Sequence, residues 1–255
     1  MIACLPMYDW PQVRAETDRL WGLIRDALAA QAIPAPASLT RDRNPWEMWQ
    51  SPELVLGQTC GMPYRTRLHG RVHLVGTPDY ALAGTAAGFY FSQLVVRADT
   101  GGQLEDFLDG KLAVNGFDSQ SGWAAPQNLA ASLGRSFGHV VTTGTHHDSA
   151  RAVAEANADI AAIDAVTWRL IQAHMPDLAR RLRVLHATPS TPGLPLIAAT
   201  KFDPAAVARA VCDAICALAP ADARALGLKG LAAIPMAAYL AIPTPPPPPE
   251  AAPGR

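Results

Sequence analysis

The chain has 255 residues with 21 Lys+Arg against 22 Asp+Glu, a formal net charge of -1, so it carries no positive excess with which to hold a polyanion, and this argues against nucleic acid as a partner. Its 17% charged and 49% apolar residues exclude disorder of the whole chain and supply a sizeable core. Four cysteines, of which only Cys212 and Cys216 are close in sequence, make neither a disulfide framework nor a zinc signature.

In chain order, Ile2 to Leu5 reads as a short buried strand and Met7-Tyr8-Asp9-Trp10 as the loop after it. A helix follows, with Asp9 or a neighbour as cap, Pro11 in its first turn, and Val13, Leu20, Leu23, Ile24, Ala27 and Leu28 on one face. Ser38-Leu39-Thr40 reads as a weak strand, Pro45 to Trp49 as a helical turn, and Leu54-Val55-Leu56 and Val72 to Val75 as buried strands. The pattern then repeats. Strands are expected at Leu94 to Arg97, Leu112 to Asn115, Val140 to Thr142, Ile160 to Ile163 and Arg183 to His186, and helices near Leu104 to Leu108, from about Ser121, at Asp148 to Ala156 and at Val166 to His174. A Pro/Gly-rich crossing at Thr188 to Gly193 leads to a strand at Leu194 to Ala198 and a helix at Asp203 to Leu218, where Cys212 and Cys216 read as small buried hydrophobes. Alternation of strands and helices predicts an α/β fold with parallel or mixed sheets. No apolar run reaches the roughly 18 to 20 residues needed to span a bilayer, so no membrane insertion is expected. The tail, with Pro243, Pro245 to Pro249 and Pro253, is expected to be extended and solvated.

Three strand-to-helix turns carry candidate chemistry. Asn115-Gly116-Phe117-Asp118-Ser119-Gln120-Ser121-Gly122-Trp123 places two hydroxyls at a helix N-terminus, where unpaired N–H groups and the helix dipole favour an anion and Gly122 permits close approach of the backbone; a plain helix cap at Asp118, Ser119 or Ser121 explains the same residues. Thr143-Gly144-Thr145-His146-His147-Asp148 offers a histidine that gains charge beside an anion, or again a cap. His146 and His147 lack a nearby third ligand, so no metal is expected. The strand Ile160 to Ile163 delivers Asp164 at its carboxyl end, the edge where open α/β sheets bind ligands. In the first half, Gln58-Thr59-Cys60-Gly61 holds the corresponding place, and no base is paired with Cys60 to make it a nucleophile.

Taken together, Gly88-Phe89-Tyr90-Phe91-Ser92 before Leu94-Val95-Val96, Ala113-Val114-Asn115 before Ser119-Gln120-Ser121-Gly122, Gly144-Thr145-His146, and Ala158 to Thr167 resemble the phosphate/phosphonate-binding proteins of ABC importers, over roughly residues 1 to 200. The resemblance implies a two-lobed fold of the type 2 periplasmic-binding-protein kind, each lobe a mixed sheet flanked by helices, with an anionic ligand in a cleft between lobes and two crossing strands as hinge. The lobes are expected at 1–92 plus 188–242 and at 93–187, with 243–255 as the proline-rich tail. Carried over by position, Ser119, Gln120 and Ser121 resemble the residues that hold phosphonyl oxygens, with Gly122 beside them. His146 resembles the anion-binding histidine, Tyr90 the cleft tyrosine, and Asp164 the carboxylate that faces an amino group on some ligands. Gln120 stands where the family has a small hydroxyl. Gln58 and Thr59, with Tyr8 in the loop after the first strand, are the first-lobe candidates.

The expected function is therefore binding of a small phosphonate- or phosphate-like oxyanion, in an ABC-type uptake system with a permease partner or in a related sensor, with no cofactor. The alternative is an enzyme on the same fold with His146 as acid/base. Met1 runs directly into Ile2-Ala3-Cys4-Leu5 without a basic n-region, which points to the cytoplasm, or to the periplasm if the true start lies upstream.

Overall fold

The computed structural model describes residues 1–246. Its strands are β1 (Ile2–Cys4), β2 (Leu54–Gln58), β3 (Val72–Asp79), β4 (Phe89–Tyr90), β5 (Ser92–Arg97), β6 (Lys111–Val114), β7 (His139–Thr142), β8 (Ile160–Asp164), β9 (Leu182–Ala187), β10 (Thr191–Pro192), β11 (Leu196–Ala199) and β12 (Gly230–Ala232). The chain divides into two compact units, one of Met1–Phe89 with Thr191–Ala241, the other of Tyr90–Ser190 with the described residues from Ile242 on. β4 and β10 pair as a separate two-stranded ribbon.

The first unit is built on a sheet of order β1-β2-β11-β3-β12. β1 and β2 run parallel, whereas β11 is antiparallel to β2 and β3 and β12 antiparallel to β3, so the sheet is mixed. Alternation along the strands separates two cores, as the two-residue period of a pleated strand requires. Ala3, Leu196 and Ala198 face one side with Leu20, Trp21, Ile24 and Leu28 of the Arg14–Ala30 helix and Val207, Ala210 and Val211 of the Pro204–Ala217 helix. Ile2, Cys4, Ile197 and Ala199 face the other with Met48, Trp49, Tyr64 and Tyr239. Burial pushes the Cys4 thiol up to about 12.

In the second unit the order is β7-β6-β8-β5-β9. β6 is parallel to both β7 and β8, and β5 is antiparallel to β8 and β9. Ile160, Ala161, Ala162 and Ile163 are buried in succession, because the central strand β8 is covered on both faces and has no solvent side to alternate with.

Three local expectations are corrected. Ser38-Leu39-Thr40 is not a strand; Leu39 is buried, yet the segment makes a single backbone bond to the sheet, from Thr40 N to Ala3 O at 2.7 Å. Asp9 does not cap the first helix, which opens with a 3₁₀ turn at Pro11–Val13 without a side-chain cap; Asp9 accepts from Arg41 instead. Cys212 and Cys216 are exposed, because the helix buries the stripe Val207, Ala210, Val211, Ala214 and Ile215 and turns the two thiols away from it. Helices at Pro176–Arg180 and Pro220–Leu226 and strand β12 lay outside the sequence reading. Among the described residues no single helix is long and apolar enough to cross a membrane. In the tail, the Pro243 carbonyl accepts from Asn128 Nδ2 at 2.9 Å, and the proline run from Pro247 lies outside the described residues.

Candidate ligand site

Because β6, β7 and β8 are parallel, their carboxyl ends lie on one edge of the second unit, and the turns that leave them are neighbours. Each turn opens a helix, and each opens it with a side chain that accepts an otherwise unpaired amide. Ser119 Oγ accepts from Gly122 N at 3.0 Å, Thr145 Oγ1 from Asp148 N at 3.0 Å, and Asp164 Oδ1 from Val166 N at 3.1 Å and Thr167 N at 2.9 Å. Ser119, Thr145 and Asp164 thus act as plain helix caps, and Ser119, Ser121, His146 and Asp164 from the three turns also meet.

Ser121 Oγ lies 2.8 Å from His146 Nε2 and 3.4 Å from Ser119 Oγ, and Asp164 Oδ2 lies 3.5 Å from the same imidazole nitrogen. Ser119, Gln120, Ser121 and Asp164 are buried, and His146 leaves 11% of its side chain exposed. Burial pushes the imidazole below its ordinary value; the Asp164 carboxylate and the Ala162 backbone pull the other way and do not prevail. Asp164 is thus committed on both oxygens, one to the helix it caps and one towards His146.

The backbone fits this cluster tightly. A β-carbon on Gly122 would stand 1.9 Å from Asn115 Oδ1 and 3.3 Å from His146 Cε1, so only glycine leaves Asn115 and His146 where they are. Gly144, with φ of +89°, supplies the left-handed turn that leads Thr145 into its capping position. The helix opens with a π turn at Gln120–Ala124 before continuing as Ala125–Ser132. Within it Trp123 is 2% exposed, lies edge-on to Phe117 at 5.2 Å, and has no hydrogen-bond partner for Nε1 among the described residues; nor has Asn115 Oδ1.

Ser92 joins the cluster from the antiparallel neighbour. In register, Ser92 stands opposite Asp164, and its hydroxyl donates to the Ser121 carbonyl at 3.0 Å. The segment leading into it carries the buried Tyr90, and the Phe91 carbonyl accepts from Ala165 N at 2.9 Å. Ser92 and Asn115 lie within motifs quoted from the sequence but were not named there as site residues, since no cap or periodic signal marks either.

The first unit has its own polar group at the carboxyl ends of β1 and β2. Gln58 and Thr59 are buried, Gln58 Nε2 donates to Tyr80 Oη at 3.1 Å, and the Tyr80 ring meets Tyr8 edge-on at 5.0 Å. Thr59 Oγ1 has no hydrogen-bond partner among the described residues. Tyr80 is the member missed by sequence, since it follows β3, which is not adjacent to β1 or β2. Cys60 is half-buried at the start of the next helical segment. Among the described residues no group of three His, Cys, Asp or Glu is placed to hold a metal ion.

Comparison with known proteins identifies the family. Residues 69–239 match a family model described as ABC transporter, phosphonate, periplasmic substrate-binding protein. No curated protein matches the chain. Among solved structures, PhnD1 from Prochlorococcus marinus in complex with methylphosphonate is 14% identical with a TM-score of 0.66, covering 89% of this chain and 90% of that one. XAC2383 from Xanthomonas citri bound to ATP is 16% identical with a TM-score of 0.65, covering 89% and 90%. A binding protein component of an ABC phosphonate transporter from Pseudomonas aeruginosa is 17% identical with a TM-score of 0.59, covering 77% and 68%. The fold is that of the periplasmic binding proteins, and the chain belongs to the phosphonate substrate-binding protein family of ABC transporters.

Proposed function

We propose that this chain binds a small phosphonate-class oxyanion through Ser119, Gln120, Ser121, Gly122 and His146, and that it passes the ligand to an ABC permease. The observation that carries the reading is the convergence of two serine hydroxyls, a helix N-terminus and an imidazole in one buried cluster on one sheet edge. Asp164 acts here as a positioning residue, holding the helix start with Oδ1 and His146 with Oδ2. Tyr90, Gln58, Thr59 and Tyr8 are the further candidate contacts. The family description is periplasmic, and we place the binding step outside the cytoplasmic membrane; fractionation of cells producing the full gene product separates this from the cytoplasmic expectation.

Calorimetric titration with methylphosphonate and with inorganic phosphate tests the proposal. One ligand should bind per chain, and Ser119→Ala with Ser121→Ala should weaken it by about 1 to 3 kcal/mol per lost charge-assisted hydrogen bond. Unchanged affinity in that variant would remove the site assignment, and recovery of a converted ligand would move the reading to an enzyme.

A further inference from the structure

The first unit carries a cluster of cations that the ligand site does not use. Beside the edge strand β1, the loop that follows it, the opening of the Arg14–Ala30 helix and the 39–48 segment line an open surface pocket of about 300 Å³ whose wall includes Asp9, Thr40 and the exposed Arg14, Arg41 and Arg43. Its three guanidinium groups are not equivalent. Arg41 is clamped, donating to both oxygens of Asp9 at 2.5 and 3.1 Å and to Asp18 at 2.7 Å. Arg14 and Arg43 make no hydrogen bond or ion pair with any described residue, so the single carboxylate on the wall is already committed and two cations remain uncompensated.

Like charges placed together on one wall repel, and a shared anion removes the repulsion. The guanidinium fork matches a phosphoryl group with paired N–H donors, which a single monovalent ion would not use. The helix that contributes Arg14 starts without a side-chain cap at either its 3₁₀ turn or its α-helical first turn, adding positive potential of the same sign. The volume lies at the lower end of small-ligand sites, roughly 300 to 1,000 Å³, enough for a phosphoryl group with one substituent.

We propose that this pocket is a second anion site, separate from the Ser119–His146 cluster, which takes an anionic phosphoryl group between Arg14 and Arg43, with Arg41 held in place by Asp9 and Asp18 as the fixed third cation. The phosphoryl group has two sources, a soluble phosphate compound or the headgroup of an anionic phospholipid.

The test uses the full chain carrying Ser119→Ala and Ser121→Ala, which takes away the first site, with pyrophosphate as the soluble probe and phosphatidylglycerol vesicles as the lipid probe. One pyrophosphate should bind per chain, weaken as NaCl is added, and weaken by roughly tenfold or more when Arg14→Gln and Arg43→Gln are introduced. Arginine-dependent sedimentation with phosphatidylglycerol but not phosphatidylcholine vesicles, without pyrophosphate binding, assigns the headgroup source. Binding of either probe that is unchanged by the two arginine substitutions, or no binding of either, overturns the proposal. Methylphosphonate binding by the chain that keeps both serines should be unaffected by the arginine substitutions, so this site and the proposed phosphonate site fail separately.

Discussion

At the scale of single residues, the ligand cluster depends on positions that tolerate little. Gly122 sits where a methyl group would overlap Asn115 Oδ1, an acceptor that makes no hydrogen bond of its own among the described residues. Gly122→Ala should therefore destabilise the protein by about 1 to 3 kcal/mol through overpacking, and Asn115→Ala in the same chain should return a large part of that loss. A double-mutant cycle by urea denaturation checks this, with additive effects as the outcome that sinks it. His146 makes a pH-dependent contribution. Burial holds its imidazole below the ordinary value near 6.5, so below that pH the unfolded chain binds a proton that the folded one resists. Stability is unaffected by this group above 6.5 and falls as the pH drops beneath it, and His146→Gln should flatten that slope in unfolding measurements between pH 5 and 8.

At the scale of elements, the faces that helices present decide which groups are reactive. The Pro204–Ala217 helix lays Val207, Ala210, Val211, Ala214 and Ile215 on the first unit's sheet and leaves Cys212 and Cys216 one turn apart on its outer side. Cys4, in the middle of that unit's core, is fully buried with its thiol pushed up to about 12. In a Cys60→Ser background, Ellman's reagent should titrate Cys212 and Cys216 in the folded protein and reach Cys4 only after denaturation. Early reaction of Cys4 would contradict its placement. The helix openings at Ser119, Thr145 and Asp164 follow the same logic of faces. Each cap is made locally, but the parallel β6, β7 and β8 bring the turns that hold these caps together, so that Ser119, Ser121, His146 and Asp164 meet.

At the scale of the whole molecule, a net charge of -1 conceals an uneven distribution, with uncompensated arginines collected at one edge of the first unit and none among the residues of the Ser119–His146 cluster. Binding at the proposed Ser119–His146 site, where hydroxyls, a helix N-terminus and an imidazole meet, should therefore weaken less on addition of NaCl than binding at the proposed arginine pocket, a difference that titration at two salt concentrations checks.

What the sequence determined by itself was whatever acts over a few residues. The apolar runs at Leu54 to Leu56 and Ile160 to Ile163 specified buried strands, and the polar turns at 118–121, 145–148 and 164 marked helix starts, because a cap reaches only two or three residues along the chain; which residue of each turn caps was decided by the structure. The motifs that span those elements carried the family resemblance in the same way. The tertiary structure alone decided the pairing of Ser92 with Asp164, the meeting of Gln58 with Tyr80, and the clamp of Asp9 and Asp18 on Arg41. It also decided that Cys212 and Cys216 face outward, since an Ala-rich helix has more than one stripe small enough to pack and the sheet beneath selects one. These contacts follow from the strand orders β1-β2-β11-β3-β12 and β7-β6-β8-β5-β9, in which neighbours in space come from distant stretches of chain, and no window of sequence contains both partners.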